Sequence, residues 1–184
     1  MSNAMLKLMP STTLKLKAVQ GNSLPIPGFE PWYVSSTDPA LTVMIDFRTR
    51  SSVTVPETET LDRALEHMKH TGVRCCFVTD EKKQTVVGMI TAYDITGEKR
   101  QQFMRFTGVA HDDVQVRDIM QKISDWRVTH LRDIEQSTVA DVLEIFNETG
   151  ATHLPVMETG EGNEQRLRGL LSSAKVKRLL VELS

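Results

Sequence analysis

The sequence contains few cysteines, few aromatic residues and no long apolar run. Its two cysteines, Cys75 and Cys76, are adjacent and have no partner elsewhere among the 184 residues. Such usage excludes a disulfide framework and is typical of a reducing compartment, so we expect a cytoplasmic protein. No apolar run approaches the roughly 20 residues of a transmembrane helix, and the first residues lack the basic and apolar segments of a signal peptide. We therefore expect neither membrane association nor secretion.

The sequence also lacks an excess of charge and the common catalytic motifs. A formal net charge of -2 at pH 7 does not provide the basic surface that non-specific nucleic-acid binding requires, so no nucleic-acid partner is expected. A nucleophilic triad, a Walker loop and a zinc signature are all missing, which predicts a protein that is not an enzyme. His67 and His70 share a predicted helix face without further ligands nearby, and we assign no metal to them.

The N-terminal segment, residues 1–40, is predicted to be a tag remnant followed by a proline-rich arm. Residues 1–4 ahead of Met5 are typical of an expression tag, and four prolines between residues 25 and 39 oppose helix formation. The arm contains too many apolar residues for a solvated tail, so we expect it to pack along the body or a partner subunit. These residues are Leu14, Leu16, Ile26, Phe29, Trp32 and Tyr33.

The same helical pattern occurs twice in the rest of the sequence. In each segment apolar residues recur at the i, i+3, i+4, i+7 spacing of a one-sided helix, a threonine precedes the helix as an N-cap, and a glycine ends it. The residues are Thr60, Leu61, Ala64, Leu65, Met68 and Gly72 in the first segment, and Thr138, Val139, Val142, Leu143, Phe146 and Gly150 in the second. The chain therefore contains one structural unit in two copies.

Predicted strands and a closing helix surround both of these helices. The strands are 53–55, 73–79 and 88–91 in the first copy, and 128–131, 151–157 and 169–172 in the second; the closing helices begin near Tyr93 and Ser173. The predicted fold class is α/β (α+β), with two tandem β-α-β-β-α repeats in residues 41–110 and 111–184. Each repeat exposes an apolar sheet face that only its twin can cover, so we expect pseudo-twofold packing with two related clefts, where ligands tend to bind.

Residues 88–94, Gly-Met-Ile-Thr-Ala-Tyr-Asp, suit a nucleotide. A carboxylate at the start of a helix, here Asp94, can accept two hydrogen bonds from a vicinal ribose diol, while the Thr91 hydroxyl can help to hold a phosphate. The alternative interpretation is that both side chains only cap the helix that follows. The presence of the repeat favours the ligand interpretation.

Together with two further motifs, residues 88–94 resemble a known family. The motifs are Val-Arg-Asp-Ile-Met at 116–120 and Gly-Ala-Thr-His-Leu-Pro-Val at 150–156. Residues 41–181 are similar to tandem cystathionine-β-synthase (CBS) domains, the pair called a Bateman module. The resemblance implies that AMP, ADP, ATP, S-adenosylmethionine or a related dinucleotide binds, that no cofactor is required, and that a homodimer forms a flat disc and controls a separate protein.

The resemblance also implies a nucleotide site shared by the two copies. The predicted nucleotide-binding residues are Thr91, Tyr93 and Asp94 from the first copy, and Thr129, Ala151 and His153 from the second. The resemblance implies that the residues of the second copy flank the adenine. His153 either reaches a phosphate or is an ordinary hydrogen-bonded strand histidine, and both interpretations stay open.

A second cleft is predicted at Thr54, Val73, Cys75, Ser172 and Lys175. In this copy Lys175 replaces the aspartate, so a diol cannot be held in the same way, although the lysine can contact a phosphate that reaches in from the other cleft. We therefore expect one occupied site per chain. Cys75 and Cys76 alternate on a strand and are interpreted as core residues, with redox sensing as the alternative.

The sequence thus predicts a regulatory CBS-pair protein that senses an adenosyl ligand and modulates an unknown separate partner. The alternative is a dimerisation or interaction module whose clefts are vestigial. This alternative is favoured by Lys175, by the apolar arm and by the amphipathic last helix.

Overall fold

The computed structural model describes residues 31–82 and 85–181, and these residues form two four-stranded sheets with helices packed against them. The arm residues Leu14, Leu16, Ile26 and Phe29, for which packing was expected, lie outside the described residues. No helix in the described ranges has both the length and the apolar character needed to cross a membrane.

The strands and helices follow one another in a repeated order. The first part of the chain contains β1 (Ile45–Asp46), β2 (Thr54–Pro56), α1 (Leu61–Thr71), β3 (Cys75–Thr79), β4 (Val86–Thr91), α2 (Ala92–Thr96) and α3 (Glu98–Thr107). The second part contains α4 (Val116–Ile119), β5 (Gln121–Lys122), β6 (Thr129–His130), α5 (Leu131–Gln136), α6 (Val139–Thr149), β7 (His153–Thr159), β8 (Gln165–Ser172) and α7 (Ser173–Leu179). The predicted β-α-β-β-α repeat is confirmed as β2-α1-β3-β4-α2 and β6-α6-β7-β8-α7.

The predicted helix caps are confirmed in both copies. The Thr60 side chain accepts a hydrogen bond from the backbone N–H of Arg63 at the start of α1, and Thr138 does the same at the start of α6. Gly72 and Gly150 end these helices with φ of 72° and 65°. Glycine adopts this left-handed conformation without the strain that a Cβ atom causes, so each helix stops where the sequence indicates.

Some element boundaries differ from the sequence-based expectation. The strands begin at Cys75 and His153 rather than two residues earlier. In the first copy Val73 still donates its N–H to the Met68 carbonyl of the preceding helix at 3.0 Å, and in the second copy Ala151 donates its N–H to the Thr149 hydroxyl oxygen at 3.3 Å. The predicted strand 128–131 is restricted to Thr129–His130, since the chain turns into α5 at Leu131. The closing helix of the first copy is divided at Gly97 into α2 and α3.

The two sheets have equivalent strand orders and exchange one strand each. One sheet has the order β2-β3-β4-β5 and the other β6-β7-β8-β1. In both, the first pair is parallel and the others are antiparallel. The strand before each repeat therefore pairs with the sheet of the other repeat. Thus β1, within the predicted range 41–110, joins the second sheet, and β5, within 111–184, joins the first.

Three apolar clusters stabilise this arrangement by removing apolar surface from water. One lies within the first half and includes Cys76, and a second lies within the other half and also includes Val34 and Val43 from before β1. The third joins the inner faces of the sheets and contains Cys75 and Leu170. The two cysteines thus lie on opposite faces of β3, which is the arrangement that strand alternation predicts.

The described end of the predicted arm contacts the second half of the chain. Val34 is 1% exposed and donates its N–H to the Leu179 carbonyl at 2.8 Å, while Val181 donates to the Val34 carbonyl at 3.0 Å. Trp32 and Tyr33, which were expected to pack along the body or a partner subunit, do not pack on the body, since both are exposed in the described chain.

Candidate functional site

A cleft of about 630 Å³ lies between the two halves of the protein. The end of β4 and α2 form one side, and β6, the end of α6 and β7 form the other. All six residues predicted to bind a nucleotide line this cleft: Thr91, Tyr93, Asp94, Thr129, Ala151 and His153. The structure therefore brings residues that are distant in sequence, and that come from both copies, to one place.

Thr91 and Asp94 form a capping box at the start of α2. Oδ2 of Asp94 accepts hydrogen bonds from the Thr91 backbone N–H at 2.9 Å and from the Thr91 hydroxyl at 2.7 Å. In return the Thr91 hydroxyl oxygen accepts the Asp94 N–H at 3.2 Å. Both residues therefore cap the helix, as the alternative interpretation held, and they also line the cleft.

The second oxygen of Asp94 forms an ion pair that the sequence analysis missed. Lys99, near the start of α3, donates from Nζ to Oδ1 of Asp94. The Asp94 side chain is 14% exposed and that of Lys99 54%. Both oxygens of the carboxylate thus have partners within the chain, and Oδ1 is the one whose partner is a half-exposed side chain.

His153 is a buried histidine in the wall of the cleft. It is 8% exposed, it pairs with Ser172 across β7 and β8, and its Nδ1 lies 3.1 Å from the Thr152 hydroxyl oxygen. Burial lowers the pKa of His153 to about 4, with a smaller opposite effect from the Asp94 carboxylate. The imidazole is therefore neutral at pH 7 and can offer a ligand a hydrogen bond but no charge.

Further charged residues line the cleft without having been predicted. Arg127 and Asp125 lie in the turn between β5 and β6, and both are exposed and line the cleft together with Lys99. No motif marks these positions in the sequence, because a turn and the side of a helix bring them to the cleft only in the folded chain.

The residues predicted for the second cleft lie in several different environments. Cys75 is buried in the cluster between the sheets, and Val73 packs on the core of the first half. Ser172 pairs with His153, and Lys175 donates from Nζ to the Met44 carbonyl at 3.4 Å. Thr54 borders a separate depression beside α1. None of the five lines the cleft that contains Asp94.

The histidines of α1 border that same depression. Its volume is about 590 Å³, and it contains Glu59, Arg63, His67 and His70. In the described part of the chain, the group of side chains close enough to share a metal ion is a different one, Asp62, His111 and Asp112. The guanidinium of Arg100 already donates to Asp62 and lies 2.9 Å from Nδ1 of His111, so a positive charge occupies that position.

Comparison with known proteins identifies the family. The family model of the CBS domain matches residues 32–100 and 134–182, while no curated protein matches significantly. The fold is similar to that of CBSX2 solved in complex with AMP, with 20% identity, 77% of this chain and 94% of that chain covered, and a TM-score of 0.50.

Two further solved structures share the fold. A CBS-domain containing protein from Agrobacterium tumefaciens has 24% identity, 70% and 88% coverage of the two chains, and a TM-score of 0.50. An uncharacterized conserved protein from Pyrococcus horikoshii has 18% identity, 81% and 98% coverage, and a TM-score of 0.54. With a family match over both halves and two equivalent sheets, the chain belongs to the CBS domain family and contains a tandem pair of these domains.

Proposed function

We propose that the cleft beside Asp94 binds an adenosyl ligand and that the protein is a non-catalytic regulatory module. The observation that carries this proposal is the position of one carboxylate: Asp94, from the first copy, lines the same cleft as Ala151 and His153 from the second. A ligand bound there contacts both copies. Its affinity then depends on how the copies are arranged, which is the physical requirement for a ligand to shift a conformational equilibrium.

The chemistry of the cleft suits a nucleotide in size and in lining. A volume of about 630 Å³ is within the range of small-molecule sites. Met89, Ile145 and Leu154 provide apolar surface for a base, and Oδ1 of Asp94 can accept hydrogen bonds from a ribose diol. Arg127 and the hydroxyl of Thr129 provide a positive charge and a donor for a phosphate.

The similarity to CBSX2, which was solved in complex with AMP, supports the same class of ligand here. AMP, ADP, ATP and S-adenosylmethionine are the candidates, with no additional cofactor and one occupied site per chain. The proposal includes a cytoplasmic homodimer that modulates a separate protein and binds neither nucleic acid nor membrane. We further propose that the first repeat spans residues 41–110 and that the second spans residues 111–184.

The matched pair of capping boxes provides a controlled test of the site. At the start of α6, Asp141 and Thr138 form the same hydrogen bonds as Asp94 and Thr91, but neither lines the cleft. Isothermal titration calorimetry with the four candidates should show that Asp94→Asn weakens binding by about ten- to a hundred-fold, which is the value of a hydrogen bond to a charged group. Asp141→Asn should bind as the wild type does, and equal binding by all three proteins contradicts the proposal.

A second candidate function is an interaction module that binds no nucleotide. The observation in its favour is that Asp94 and Thr91 hydrogen-bond to each other as a helix cap, and that Lys99 forms an ion pair with Oδ1 of Asp94. On this view the thermal unfolding midpoint does not respond to any adenosyl compound. A ligand that binds the folded chain must instead raise the midpoint, because it stabilises the folded state by RT ln(1 + [L]/Kd).

A further inference from the structure

The contact between Lys99 and Asp94 depends on the way in which α3 is attached to the first half. Gly97 separates α2 from α3, and the chain changes direction there, so that residue 99 comes back to residue 94. The next residue, Arg100, is 7% exposed and donates to Oδ1 and Oδ2 of Asp62 at 2.7 and 3.2 Å. It also donates to the His111 carbonyl at 2.8 Å.

These bonds hold α3 through Arg100 and do not involve the neighbouring Lys99. Arg100 and Lys99 are consecutive, so their side chains leave the helix about 100° apart. One side chain anchors the helix in the protein and the other points to the cleft, where it is 54% exposed. The base of Lys99 is therefore fixed, and its ammonium can leave Asp94 without any rearrangement of α3.

The two oxygens of Asp94 are not equivalent for a ligand. Oδ2 holds the start of α2 through two hydrogen bonds from Thr91. Oδ1 accepts from Lys99. A ribose that approaches without opening the helix must therefore use Oδ1, the oxygen that Lys99 occupies.

We propose that Lys99 gates this cleft and determines its selectivity, so that phosphorylated adenosyl ligands are favoured over the free nucleoside. This inference rests on the proposed nucleotide site. A ribose diol displaces the ammonium from Oδ1, and the displaced charge remains inside the cleft. A nucleoside has no anionic group that can pair with the Lys99 ammonium, whereas the phosphate of a nucleotide can pair with it.

The other charges that line the cleft agree with this selectivity. Asp125 and Arg127 contribute one charge of each sign, and His153 is neutral at pH 7 because burial lowers its pKa to about 4. Once a diol occupies Asp94, the released Lys99 is the additional positive charge available for an anionic group. The number of phosphates accepted is therefore small, and a monophosphate is the expected ligand.

The test compares adenosine with AMP by calorimetry on wild type and Lys99→Met. Removal of the gate should raise the affinity for adenosine about two- to five-fold, the range for a partly exposed ion pair. The affinity for AMP should stay the same or fall, so the preference for AMP over adenosine decreases. Lys177→Met removes an exposed lysine from α7 and should leave both affinities unchanged.

A second measurement needs no substitution. Between about 50 and 500 mM salt the Lys99–Asp94 pair is progressively screened, so wild-type affinity for adenosine should rise with salt while that of Lys99→Met stays constant. If wild type binds AMP but Lys99→Met shows the same preference and the same salt response, the gate is wrong and the nucleotide site stands. If none of the proteins binds any adenosyl compound, both proposals are wrong.

Discussion

Gly88 and Gly169 occupy equivalent positions in the two sheets, and each is covered closely by the strand that comes from the other repeat. A Cβ atom on Gly88 would lie 2.6 Å from the Gln121 carbonyl oxygen of β5. One on Gly169 would lie 2.6 Å from the Ile45 carbonyl oxygen of β1. The exchange of strands thus depends on the absence of a side chain at these two positions.

Alanine at either glycine should therefore destabilise the protein. The contact is with backbone atoms of the exchanged strand, which cannot move aside as a flexible side chain can, so we expect Gly88→Ala and Gly169→Ala each to lower the free energy of unfolding by about 1–3 kcal/mol. Urea unfolding followed by circular dichroism measures the change.

A matched control for these substitutions exists in the loop between β7 and β8. At Gly160 the nearest atoms to an added Cβ lie 3.7 Å away, and its φ of -85° suits any residue. Gly160→Ala should therefore change stability by no more than a few tenths of a kcal/mol, as for other surface substitutions. A loss at Gly160 equal to that at Gly88 would show that the close strand contact is not the cause.

The strand exchange also illustrates why part of the fold could not be predicted from the sequence. The long helices α1 and α6 have both a clear apolar period and strong caps, so their positions follow from local rules. The exchanged strands β1 and β5 have only two residues each, too few for any alternation to be visible. Their pairing is decided by contacts with a distant part of the chain.

The residues of the candidate site likewise differ in whether the sequence predicts them. Asp94 could be predicted because the chemistry of residues 88–94 suits a ribose, and Ala151 and His153 because the motif at 150–156 resembles CBS domains. Lys99 and Arg127 could not be predicted, because α3 and the turn before β6 lie outside the repeated β-α-β-β-α elements and outside the motifs that resemble the family. Their charges reach the cleft only through tertiary packing, which a local pattern does not record.

A buried arginine should hold the exchanged strand β1 against β8. The Arg168 side chain is 10% exposed, forms two hydrogen bonds with the Asp46 carboxylate, and has its Nε 3.5 Å from Oε2 of Glu158. Its hydrogen bonds hold the pKa of Asp46 below the usual value. Because removal of one partner leaves the other without its counter-charge, Arg168→Met should lower the free energy of unfolding by about 2 kcal/mol.

A double-mutant cycle separates this pair from general packing. Asp46→Asn and Arg168→Met should each destabilise, and the double variant should lose less than the sum, with a coupling of about 1 kcal/mol or more. Urea unfolding provides the four values. If the two losses in free energy of unfolding are strictly additive, the pairing of β1 with β8 does not depend on the ion pair between Asp46 and Arg168.

The two cysteines should be unreactive in the folded protein. Burial raises the pKa of the Cys76 thiol to about 12, and burial also raises the pKa of Cys75 well above its usual range. Since the thiolate is the reactive form, a thiol reagent at pH 8 should label neither cysteine in native buffer and both in urea. Rapid labelling of native protein, lost in Cys75→Ser, would instead favour redox sensing.

The buried histidine of the cleft should make stability depend on pH. His153 has a pKa of about 4 in the folded chain against an ordinary value of 6.5, so between these values the unfolded chain takes up a proton that the folded chain does not. The contribution of His153 to the free energy of unfolding is therefore fully present above pH 6.5 and is lost as the pH falls to about 4. By linkage this amounts to about 2 kcal/mol between pH 7 and pH 5.

Among the described residues, the other groups with shifted pKa values do not titrate in this window. Hydrogen bonds hold the pKa values of Asp46, Asp62 and Asp141 below 3.8, so their effects appear only at lower pH. Urea unfolding of wild type at pH 7 and pH 5 should therefore show the loss, and His153→Gln should remove most of it. His70→Gln, at an exposed position on α1, should retain the wild-type loss, and an equal loss in all three proteins would show that burial of His153 is not its cause.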